Sequence, residues 1–446
     1  MAAPSGLELQ PVLLQRLNDA RMRSEELFAI VRPDALYDRP IPERHRIVFY
    51  IGHLEAFDWN LLRERSLDLP AFDPELDRLF AFGIDPVGGG LPTDRPSDWP
   101  SMEQVAAYVG RVRERLDNAL AAALRSGTAG EFPLELLLNV AIEHRLMHAE
   151  TLAYMLHQLP IDRKVKPMGR MALVSGKGAG DIARNISIEV PEGTATLGLS
   201  REDGQFGWDN EYQRHMLQVP RFAMDRYKVS NREYLDFMRA GGYQQQSLWS
   251  ERDWNWIKQA GITHPVFWRR DGDDGWLYRT MFSEVPLPAD WPVYVSHAEA
   301  SAYARWKGKA LPTEAQWHRA ALGTSQGRER AYPWGSDSPT AKRGNFDFHS
   351  WDPAVVTAFP EGRSGFGVEG LVGNGWEWTS TVFAPFAGFE RYPFYPGYSA
   401  DFFDGKHYVM KGGSPRTAAC MVRRSFRNWF QPHYQYVYAG FRCVEN

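Results

Sequence analysis

The chain of 446 residues contains only two cysteines, Cys420 and Cys443, which excludes a disulfide framework and favours a reducing cytoplasm. It has no run of about 18 consecutive apolar residues, so no membrane span is expected, and no hydrophobic segment of a signal peptide is found near residue 1. The net charge is only −4 and no basic run occurs, so neither nucleic acid nor a membrane surface is expected as a partner. The sequence gives no indication of the oligomeric state.

Apolar residues recur every three or four positions through residues 8–160, which is the pattern of amphipathic helices. Four such segments, separated by turn-rich stretches, predict a four-helix bundle at residues 1–165. The segments are LLQRLNDARMRSEELFAIV, HRIVFYIGHLEAFDWNLLRERS, MEQVAAYVGRVRERLDNALAAAL and PLELLLNVAIEHRLMHAETLAYMLHQL. The break at residues 83–101 is rich in Gly, Pro and Asp and is long enough to cover a pocket.

The composition changes after a connector at residues 166–195, which contains the sequence SGKGAGD. Gly, Pro, Asn and Asp become frequent, and most of the 16 tryptophans lie in the second half. Because apolar runs become short, residues 196–446 are predicted to form a domain of short strands and long loops with two helices. The first helix follows Ser230, and the second has Ser296 as its N-cap. The whole chain is therefore assigned to the α+β class.

Two histidines in the fourth helical segment, His144 and His148, are four residues apart and therefore lie on one face of the helix. The second segment contributes His53 in a predicted core stripe. Three neutral histidines from two helices can bind one iron, zinc or copper ion and leave coordination positions open. Glu150 lies on a different face and is interpreted as supporting or structural, and His157 as a surface or helix-end residue. The alternative is that the three histidines are packed in the core without a metal.

Seven motifs of the second half resemble the formylglycine-generating-enzyme superfamily, whose loop-rich fold is related to C-type lectins. They are FGWDNE (206–211), DRYKVSNREYLDFM (225–238), PVYVSHAEASAYARWKGKALPTEAQWHRAA (292–321), YPWG (332–335), LVGNGWEWTST (371–381), KGGS (411–414) and AGFRC (439–443). The superfamily includes a copper oxidase that uses paired cysteines, the first of them three residues after the GGS serine. Here that position is Thr417, Cys420 stands at the wrong offset, and Cys443 matches a cysteine at the end of the fold. The resemblance therefore implies the fold but not formylglycine-generating activity.

The helical half resembles a DinB-like bundle, and its HRLMHAE sequence matches the pattern H-x3-H-x-E. A DinB-like bundle followed by this loop-rich domain is similar to the ergothioneine-type sulfoxide synthases. The resemblance implies that His53, His144 and His148 bind non-haem Fe(II) and that O2 is a co-substrate. It further implies a reaction that joins a sulfur donor to the imidazole C2 of Nα-trimethylhistidine (hercynine) and leaves a sulfoxide, as in ergothioneine biosynthesis.

The resemblance also assigns substrate residues in the second half. Asn428 and Trp429, within SFRNWF, correspond to a pair that holds the trimethylammonium group, and an aromatic face suits a cation that cannot donate a hydrogen bond. In FYPGYS, Tyr395 corresponds to the proton or hydrogen-atom donor and Tyr398 to a residue that helps to hold the substrate. Tyr392 is the alternative for either role.

Three positions depart from the family pattern. Members that use γ-glutamylcysteine have an acidic residue and an Arg where this chain has Phe430 and Tyr434, which cannot bind the charged ends of that donor in the same way. Cysteine or another thiol is therefore the expected donor, and a selenosugar, as in selenoneine-forming relatives, is the alternative. Met147 stands where the family has a Gln directly before the second histidine ligand of the helix. The family pattern therefore gives weaker support for hercynine as the imidazole substrate. An ovothiol-type enzyme would attach sulfur at C5 of free histidine, although Asn428 and Trp429 argue against it.

Two functions of other classes stay open. A lectin-like scaffold can act as a non-catalytic binding module, with the three histidines simply packed in the core. A DinB-like bundle with three histidines can also hold zinc in a hydrolase or a thiol transferase. Bound metal would argue against the first, and strict O2 dependence would exclude the second.

Overall fold

The computed structural model describes residues 6–81, 91–126, 130–167, 185–273 and 275–445, without the side chains of residues 6–11 and 124–126. The chain divides into two compact units, Met1–Met168 and Gly169–Asn446. The first unit is helical and the second combines short strands, helices and long loops, so the predicted α+β class is confirmed. The SGKGAGD part of the predicted connector and most of the first half of the 83–101 segment lie outside the described residues. Within the described part of the chain, no helix is long and apolar enough to cross a membrane.

The described part of the first unit contains five α-helices. They are α1 (Gly6–Ala29), α2 (Ile47–Leu62), α3 (Pro74–Leu79), α4 (Met102–Ser126) and α5 (Leu134–His157). The four long helices α1, α2, α4 and α5 are those that the apolar periodicity predicts, whereas the short α3 was not predicted. α1 packs against α5, and α2 packs against both α4 and α5. Buried side chains such as Leu17, Leu116 and Leu152 fill the space between the helices.

A buried ion-pair network joins three helices of this unit. Arg145 of α5 is fully buried and donates hydrogen bonds to Glu55 Oε1 (3.0 Å) and Asp58 Oδ2 (2.5 Å) of α2. Arg113 of α4 donates to the same Glu55 oxygen at 2.7 Å. Burial alone would raise the pKa of Glu55, but the guanidinium groups of Arg145 and Arg113 outweigh it and lower the pKa to about 2. The carboxylate therefore stays ionised and fixes α2, α4 and α5 against one another.

The described part of the second unit contains twelve short strands. They are β1 (Ser187–Val190), β2 (Gly193–Leu197), β3 (His215–Val219), β4 (Phe222–Asp225), β5 (Trp268–Asp271), β6 (Gly275–Arg279), β7 (Glu284–Pro286), β8 (Trp376–Val382), β9 (Tyr408–Lys411), β10 (Asn428–Phe430), β11 (Ala439–Gly440) and β12 (Val444–Glu445). They form small sheets with the orders β1-β4-β12, β10-β9-β8-β11, β2-β3 and β5-β6-β7. β11 runs parallel to β8, and the other pairs are antiparallel. Because β1 and the start of β2 lie within residues 166–195, the end of the predicted connector takes part in the sheets.

The second unit has four α-helices in its described residues, and the prediction of two was wrong. They are α6 (Asn231–Arg239), α7 (Glu251–Gln259), α8 (His297–Trp306) and α9 (Glu314–Leu322). α6 and α8 are the predicted helices, and Ser230 and Ser296 cap them by accepting a hydrogen bond from the N–H group three residues later. α7 and α9 were missed because their N-caps, Ser250 and Thr313, were not recognised in the sequence. The reciprocal cap formed by Thr313 and Gln316 is the sequence signal that could have located α9.

One buried carboxylate, that of Glu377 in β8, links several elements of the second unit. Arg442 donates two hydrogen bonds of 2.8 Å to it, and Trp317 of α9 donates one of 3.0 Å. Lys228 Nζ lies 3.0 Å from the same carboxylate. Since Glu377 and Arg442 are fully buried, their charges are compensated without water, and the chain between β4, α9 and the C-terminal strands is held in place.

Glu377→Gln should destabilise the second unit by about 3–5 kcal/mol, because it leaves the buried Arg442 and Lys228 without a counter-charge. Urea unfolding followed by tryptophan fluorescence measures the loss. Asp290→Asn is the matched control: its carboxylate pairs with Arg232 at 3.0 Å, but the two side chains are 50% and 43% exposed, so the expected loss is below about 1 kcal/mol. Equal losses in the two variants would contradict this description of the core.

Candidate metal centre and substrate residues

Three histidines that lie far apart in the sequence meet in the core of the first unit. His53 extends from α2, and His144 and His148 extend from α5. Nε2 of His148 lies 3.2 Å from Nε2 of His53 and 3.1 Å from Nε2 of His144. One ring nitrogen from each residue lies within 4.8 Å of the other two, and no side chain is more than 5% exposed. The structure thus brings together the three residues that the sequence suggested as ligands.

The other ring nitrogen of His53 also has a partner. Nδ1 lies 2.7 Å from the backbone oxygen of Phe80, the residue that follows α3. Because a carbonyl oxygen can only accept a hydrogen bond, Nδ1 carries the proton and the lone pair of Nε2 faces the other two histidines. Histidines that bind metals usually have such a partner on the second nitrogen.

Burial keeps the three imidazoles neutral. It lowers the pKa of His53 to about 4 and lowers the pKa values of His144 and His148 well below the usual 6.5. Two neighbouring aromatic rings define the ring planes: Phe57 stacks on His144 with the ring centroids 3.4 Å apart, and Phe49 stacks on His53 at 4.8 Å. A neutral imidazole held in one plane is the form in which histidine binds a metal ion.

The converging ring nitrogens of three neutral imidazoles make this cluster a candidate metal site. The nitrogens suit Fe(II), zinc or copper, and among the described residues no carboxylate belongs to the cluster. Glu150 is buried on α5 outside it, as the sequence indicated. His157 ends α5 as expected, but it is buried and not exposed. Met147 is half-buried and lies directly before His148 in the chain.

Aromatic side chains form a connected cluster in the second unit. Tyr398 stacks on Trp208 with the ring centroids 3.9 Å apart and meets Trp429 edge-on at 5.5 Å. The Tyr395 ring lies 5.6 Å from that of Tyr398, and Trp429 stacks on Phe383 at 4.2 Å. The structure therefore brings Tyr395, Tyr398 and Trp429 together. It also adds Trp208, which the FGWDNE motif contains but to which the sequence gave no role.

The short strand β10 presents two different aromatic surfaces. Successive side chains of a strand point to opposite faces, so Trp429 and Phe430 point away from each other. Asn428 Oδ1 accepts a hydrogen bond of 2.9 Å from the backbone N–H of Trp429, which keeps the amide beside that residue. Phe430 stacks on Tyr434 at 5.0 Å, and Tyr434 meets Tyr436 edge-on at 5.4 Å. Phe430 and Tyr434, two of the three positions that depart from the family pattern, thus form one aromatic surface, distinct from the cluster around Trp429.

The segment that follows β10 is anchored to α7. His433 Nε2 lies 2.8 Å from Asp253 Oδ1, and the His433 ring stacks on Trp256 with the centroids 4.5 Å apart and the planes 4° from parallel. These contacts fix the chain between Phe430 and Tyr434. The sequence did not indicate this anchor because it did not predict α7.

The structure distinguishes two of the tyrosines proposed as proton donor. Tyr392 is buried and donates a hydrogen bond of 2.5 Å to the backbone oxygen of Gly207. Burial also raises the pKa of Tyr392. Tyr395 is half-buried, and its ring borders the cluster of Tyr398 and Trp208. The two tyrosines thus differ in burial and in neighbours.

The position that the resemblance assigns to the first paired cysteine of formylglycine-generating enzymes is occupied by a buried threonine, Thr417. The Thr417 hydroxyl accepts a hydrogen bond of 2.8 Å from the backbone N–H of Ser414. Cys420 and Cys443 are both free thiols, and burial raises the pKa of Cys443. A pair of reactive thiols at this loop is therefore absent from the sequence and from the described structure alike.

Two family models match the chain. The model described as a sulfatase-modifying factor enzyme 1-like domain matches residues 179–446, and that of the DinB superfamily matches residues 16–152. They confirm the predicted combination of a DinB-like helical half with a formylglycine-generating-enzyme-like half.

The relatives of the chain include two hercynine oxygenases and a fungal protein. The hercynine oxygenase of Mycolicibacterium smegmatis is 35% identical over 405 residues, which are 89% of each chain. That of Mycobacterium tuberculosis is 41% identical over 56% of this chain and 58% of its own length, and ergothioneine biosynthesis protein 1 of Neurospora crassa is 28% identical over 93% of this chain and 55% of its own. The chain thus spans less than two thirds of these last two relatives. The solved structure of PvdO from Pseudomonas aeruginosa covers 58% of this chain and 94% of its own, but its TM-score of 0.38 and identity of 19% are too low to bear on function. Since the alignment with the Mycolicibacterium protein runs through both halves, the chain belongs to the hercynine oxygenase family.

Proposed function

We propose that the protein is a non-haem Fe(II), O2-dependent sulfoxide synthase that forms a C–S bond between the imidazole C2 of hercynine and a thiol, in ergothioneine biosynthesis. The observation that carries this proposal is the buried cluster of His53, His144 and His148, in a chain that is 35% identical to a hercynine oxygenase over 89% of its length. One ring nitrogen from each of three histidines on two helices, all within 4.8 Å of one another, is the arrangement of a metal site in a helical bundle. A non-catalytic binding module does not account for this arrangement.

The donor set fits Fe(II). Neutral imidazoles add no negative charge, so a bound iron ion would keep its full charge to attract a thiolate, and a further open position could take O2. Bound iron would activate O2 and hold the sulfur donor beside the imidazole of the substrate. His53 contributes through Nε2, because Nδ1–H is bound to the Phe80 carbonyl. Zinc suits the same nitrogens, and O2 dependence is therefore the property that separates the proposed enzyme from a zinc hydrolase or thiol transferase.

Trp429 and Asn428 are proposed to bind the trimethylammonium group of hercynine. A quaternary ammonium cannot donate a hydrogen bond, so an indole face and an amide oxygen are suitable partners. Stacking on Phe383 and the edge contact with Tyr398 hold the indole in place before the substrate arrives, which lowers the entropy lost on binding.

Tyr395 is proposed to supply a proton during the reaction, and Tyr398 to help to hold the substrate. A phenol donates a proton readily only if its hydroxyl can reach the substrate, and the Tyr392 hydroxyl is instead bound to a backbone oxygen. Tyr395 lies within the same aromatic cluster as Trp429 through Tyr398.

Cysteine is the proposed donor, and Phe430 and Tyr434 are proposed to line its site. The stacked pair of these residues also supports a second candidate, a selenosugar donor that would yield selenoneine. The stacked pair carries no formal charge, whereas the ammonium and carboxylate of an amino acid are best held by groups of opposite charge. The rings and hydroxyl groups of Tyr434 and Tyr436, which meet edge-on, suit the apolar face and the hydroxyls of a sugar.

The protein reconstituted with Fe(II) should couple hercynine to one donor in air. Mass spectrometry of parallel reactions with cysteine, γ-glutamylcysteine and a selenosugar identifies the product, and free histidine in place of hercynine tests the ovothiol-type reaction. A cysteine sulfoxide adduct would support the first candidate, and selenoneine the second. If none of the donors gives an adduct, both candidate functions are refuted.

His144→Ala should lower the affinity for Fe(II) by at least roughly tenfold, since even the loss of a residue that only supports a ligand has an effect of about this size. Anaerobic titration of Fe(II) against a chelator measures the affinity, and product formation should fall with it. His349→Ala is the control, because this exposed histidine lies in the other unit. Full iron content and activity in His144→Ala would contradict the proposed centre.

Tyr434→Leu and Trp429→Leu should affect different substrates. Loss of an aromatic contact of about 1.4 kcal/mol corresponds to a tenfold change in binding. We expect Tyr434→Leu to raise KM for the donor about tenfold and Trp429→Leu to raise KM for hercynine to a similar extent, with iron content unchanged in both. Steady-state kinetics with one substrate varied at a time make the measurement, and a rise in the same KM in both variants would contradict the assignment.

The metal-free protein should become less stable as the pH falls from about 7 to about 4. The folded pKa of His53 is about 4, below the unfolded value of about 6.5, so the unfolded chain binds the proton first. Its unfolding free energy then falls by about 1.4 kcal/mol per pH unit for each such histidine. Urea unfolding in chelator, followed by far-UV circular dichroism, should show a shallower pH dependence in His53→Gln. An unchanged slope would mean that His53 is not buried in its neutral form.

A further inference from the structure

The short helix α3 provides the carbonyl group that binds the histidine of α2. Phe80 ends this helix as its C-cap, and its oxygen accepts the hydrogen bond of 2.7 Å from His53 Nδ1. The bond joins residues 27 positions apart, so its geometry depends on where α3 lies against α2. A six-residue helix has little stability of its own and takes its position from contacts with its neighbours.

Asp77 makes those contacts. Its side chain is 5% exposed, and each carboxylate oxygen accepts one hydrogen bond: from Tyr108 of α4 at 2.7 Å and from Trp59 of α2 at 3.3 Å. Its backbone oxygen accepts a third bond, of 3.2 Å, from the side chain of Asn60. Burial and the Asp77 carboxylate both raise the pKa of Tyr108, so that hydroxyl stays protonated and remains a donor. Three bonds from two helices therefore converge on one residue of α3.

The Phe80 ring fixes the same end of α3 by close packing. The ring is fully buried, with Trp99 at 6.3 Å and Tyr108 at 5.7 Å between ring centroids. A Cβ atom at Gly52 would lie 2.5 Å from three of the ring carbons. Glycine directly before the ligand His53 therefore leaves the space that the Phe80 ring occupies.

We propose that Asp77 is a positioning residue of the metal centre: by binding α3 to α2 and α4, it places the Phe80 carbonyl against His53 Nδ1 and so selects the tautomer whose Nε2 lone pair faces the other histidines. The inference rests on the metal site proposed above. Without this bond, the proton can move to Nε2, which removes a ligand lone pair, and the ring is free to rotate away from His148. Asp77 itself does not contact the substrate or the metal.

The test is the Fe(II) affinity of the full-length protein, measured anaerobically against a chelator. Asp77→Ala should bind Fe(II) about 10–100-fold more weakly than the wild type, which is the usual effect of losing a residue that orients a metal ligand. Asp77→Asn keeps an oxygen for Tyr108 but presents an amide to Trp59, so it should recover part of the loss. Leu116→Ala is the matched control, since this fully buried leucine lies on α4 about 12 Å along the helix from Tyr108, and its loss also lowers the melting temperature.

A second variant and a spectroscopic readout cover the case in which Asp77→Ala does not fold. Gly52→Ala should keep or increase the helicity of α2 but displace the Phe80 ring, so Fe(II) affinity should fall while far-UV circular dichroism is retained. Nitrogen-15 NMR of the metal-free protein reports the tautomer directly: His53 should be protonated at Nδ1 in the wild type and in Leu116→Ala, and a mixture of tautomers in Gly52→Ala.

The outcomes separate this inference from the proposed function. If the wild type binds Fe(II) and the Asp77 and Gly52 variants bind it equally well, the positioning role is refuted and the metal centre stands. If Leu116→Ala weakens Fe(II) binding as much as Asp77→Ala at the same melting temperature, the effect is general destabilisation and the inference is again overturned. If the wild type itself binds no Fe(II), the proposed function fails, and the positioning role fails with it.

Discussion

Three neutral imidazoles directed at one point within a buried core form the constraint on which the first unit depends. Burial disfavours the protonated form of these rings and so lowers the pKa values of His144 and His148. The helices that carry them must therefore be held by other groups. Arg145, the neighbour of His144, does this through Glu55 and Asp58, which lie on the same helix as His53. Full charges thus fix the two helices, while the nitrogens between them stay uncharged and available to a cation.

The second unit is stabilised in a different way, because its strands have only two to seven residues. Strands so short bury little apolar surface, and buried charge pairs such as Glu377 with Arg442 hold the intervening loops. Loops that are fixed at their ends can present aromatic rings in defined positions. The stack of Tyr398 on Trp208 joins residues from two distant loops and depends on this rigidity.

The chemistry of the proposed donor site follows from the two faces of β10. One face directs Trp429 into an aromatic cluster that suits a quaternary ammonium, and the other directs Phe430 onto Tyr434. Replacing a charged pair by stacked rings changes which donor can be held, because a ring offers dispersion and hydrogen-bonding hydroxyls but no counter-charge. The proposed centre would therefore accept a sulfur or a selenium donor, and the face that carries Phe430 is proposed to select between them.

The sequence by itself determined the features that depend on local spacing. Helical periodicity located the four long helices, the spacing of His144 and His148 put them on one face, and Ser230 and Ser296 marked two helix starts, because each of these signals acts over three or four residues. Motif resemblance identified the family, although it left the donor open.

Only the tertiary structure decided which groups meet across long stretches of chain. His53 contacts His148, 95 residues away in the sequence, and Tyr392 is hydrogen-bonded to Gly207, 185 residues away. The Phe80 carbonyl that binds His53 follows a helix that no periodic pattern predicted. A six-residue helix such as α3 and a nine-residue helix such as α7 are too short for their own propensity to decide their conformation, so packing against other elements determines it. Local sequence patterns do not depend on those distant partners. The contacts that hold His53 in place could therefore be identified only in the folded chain.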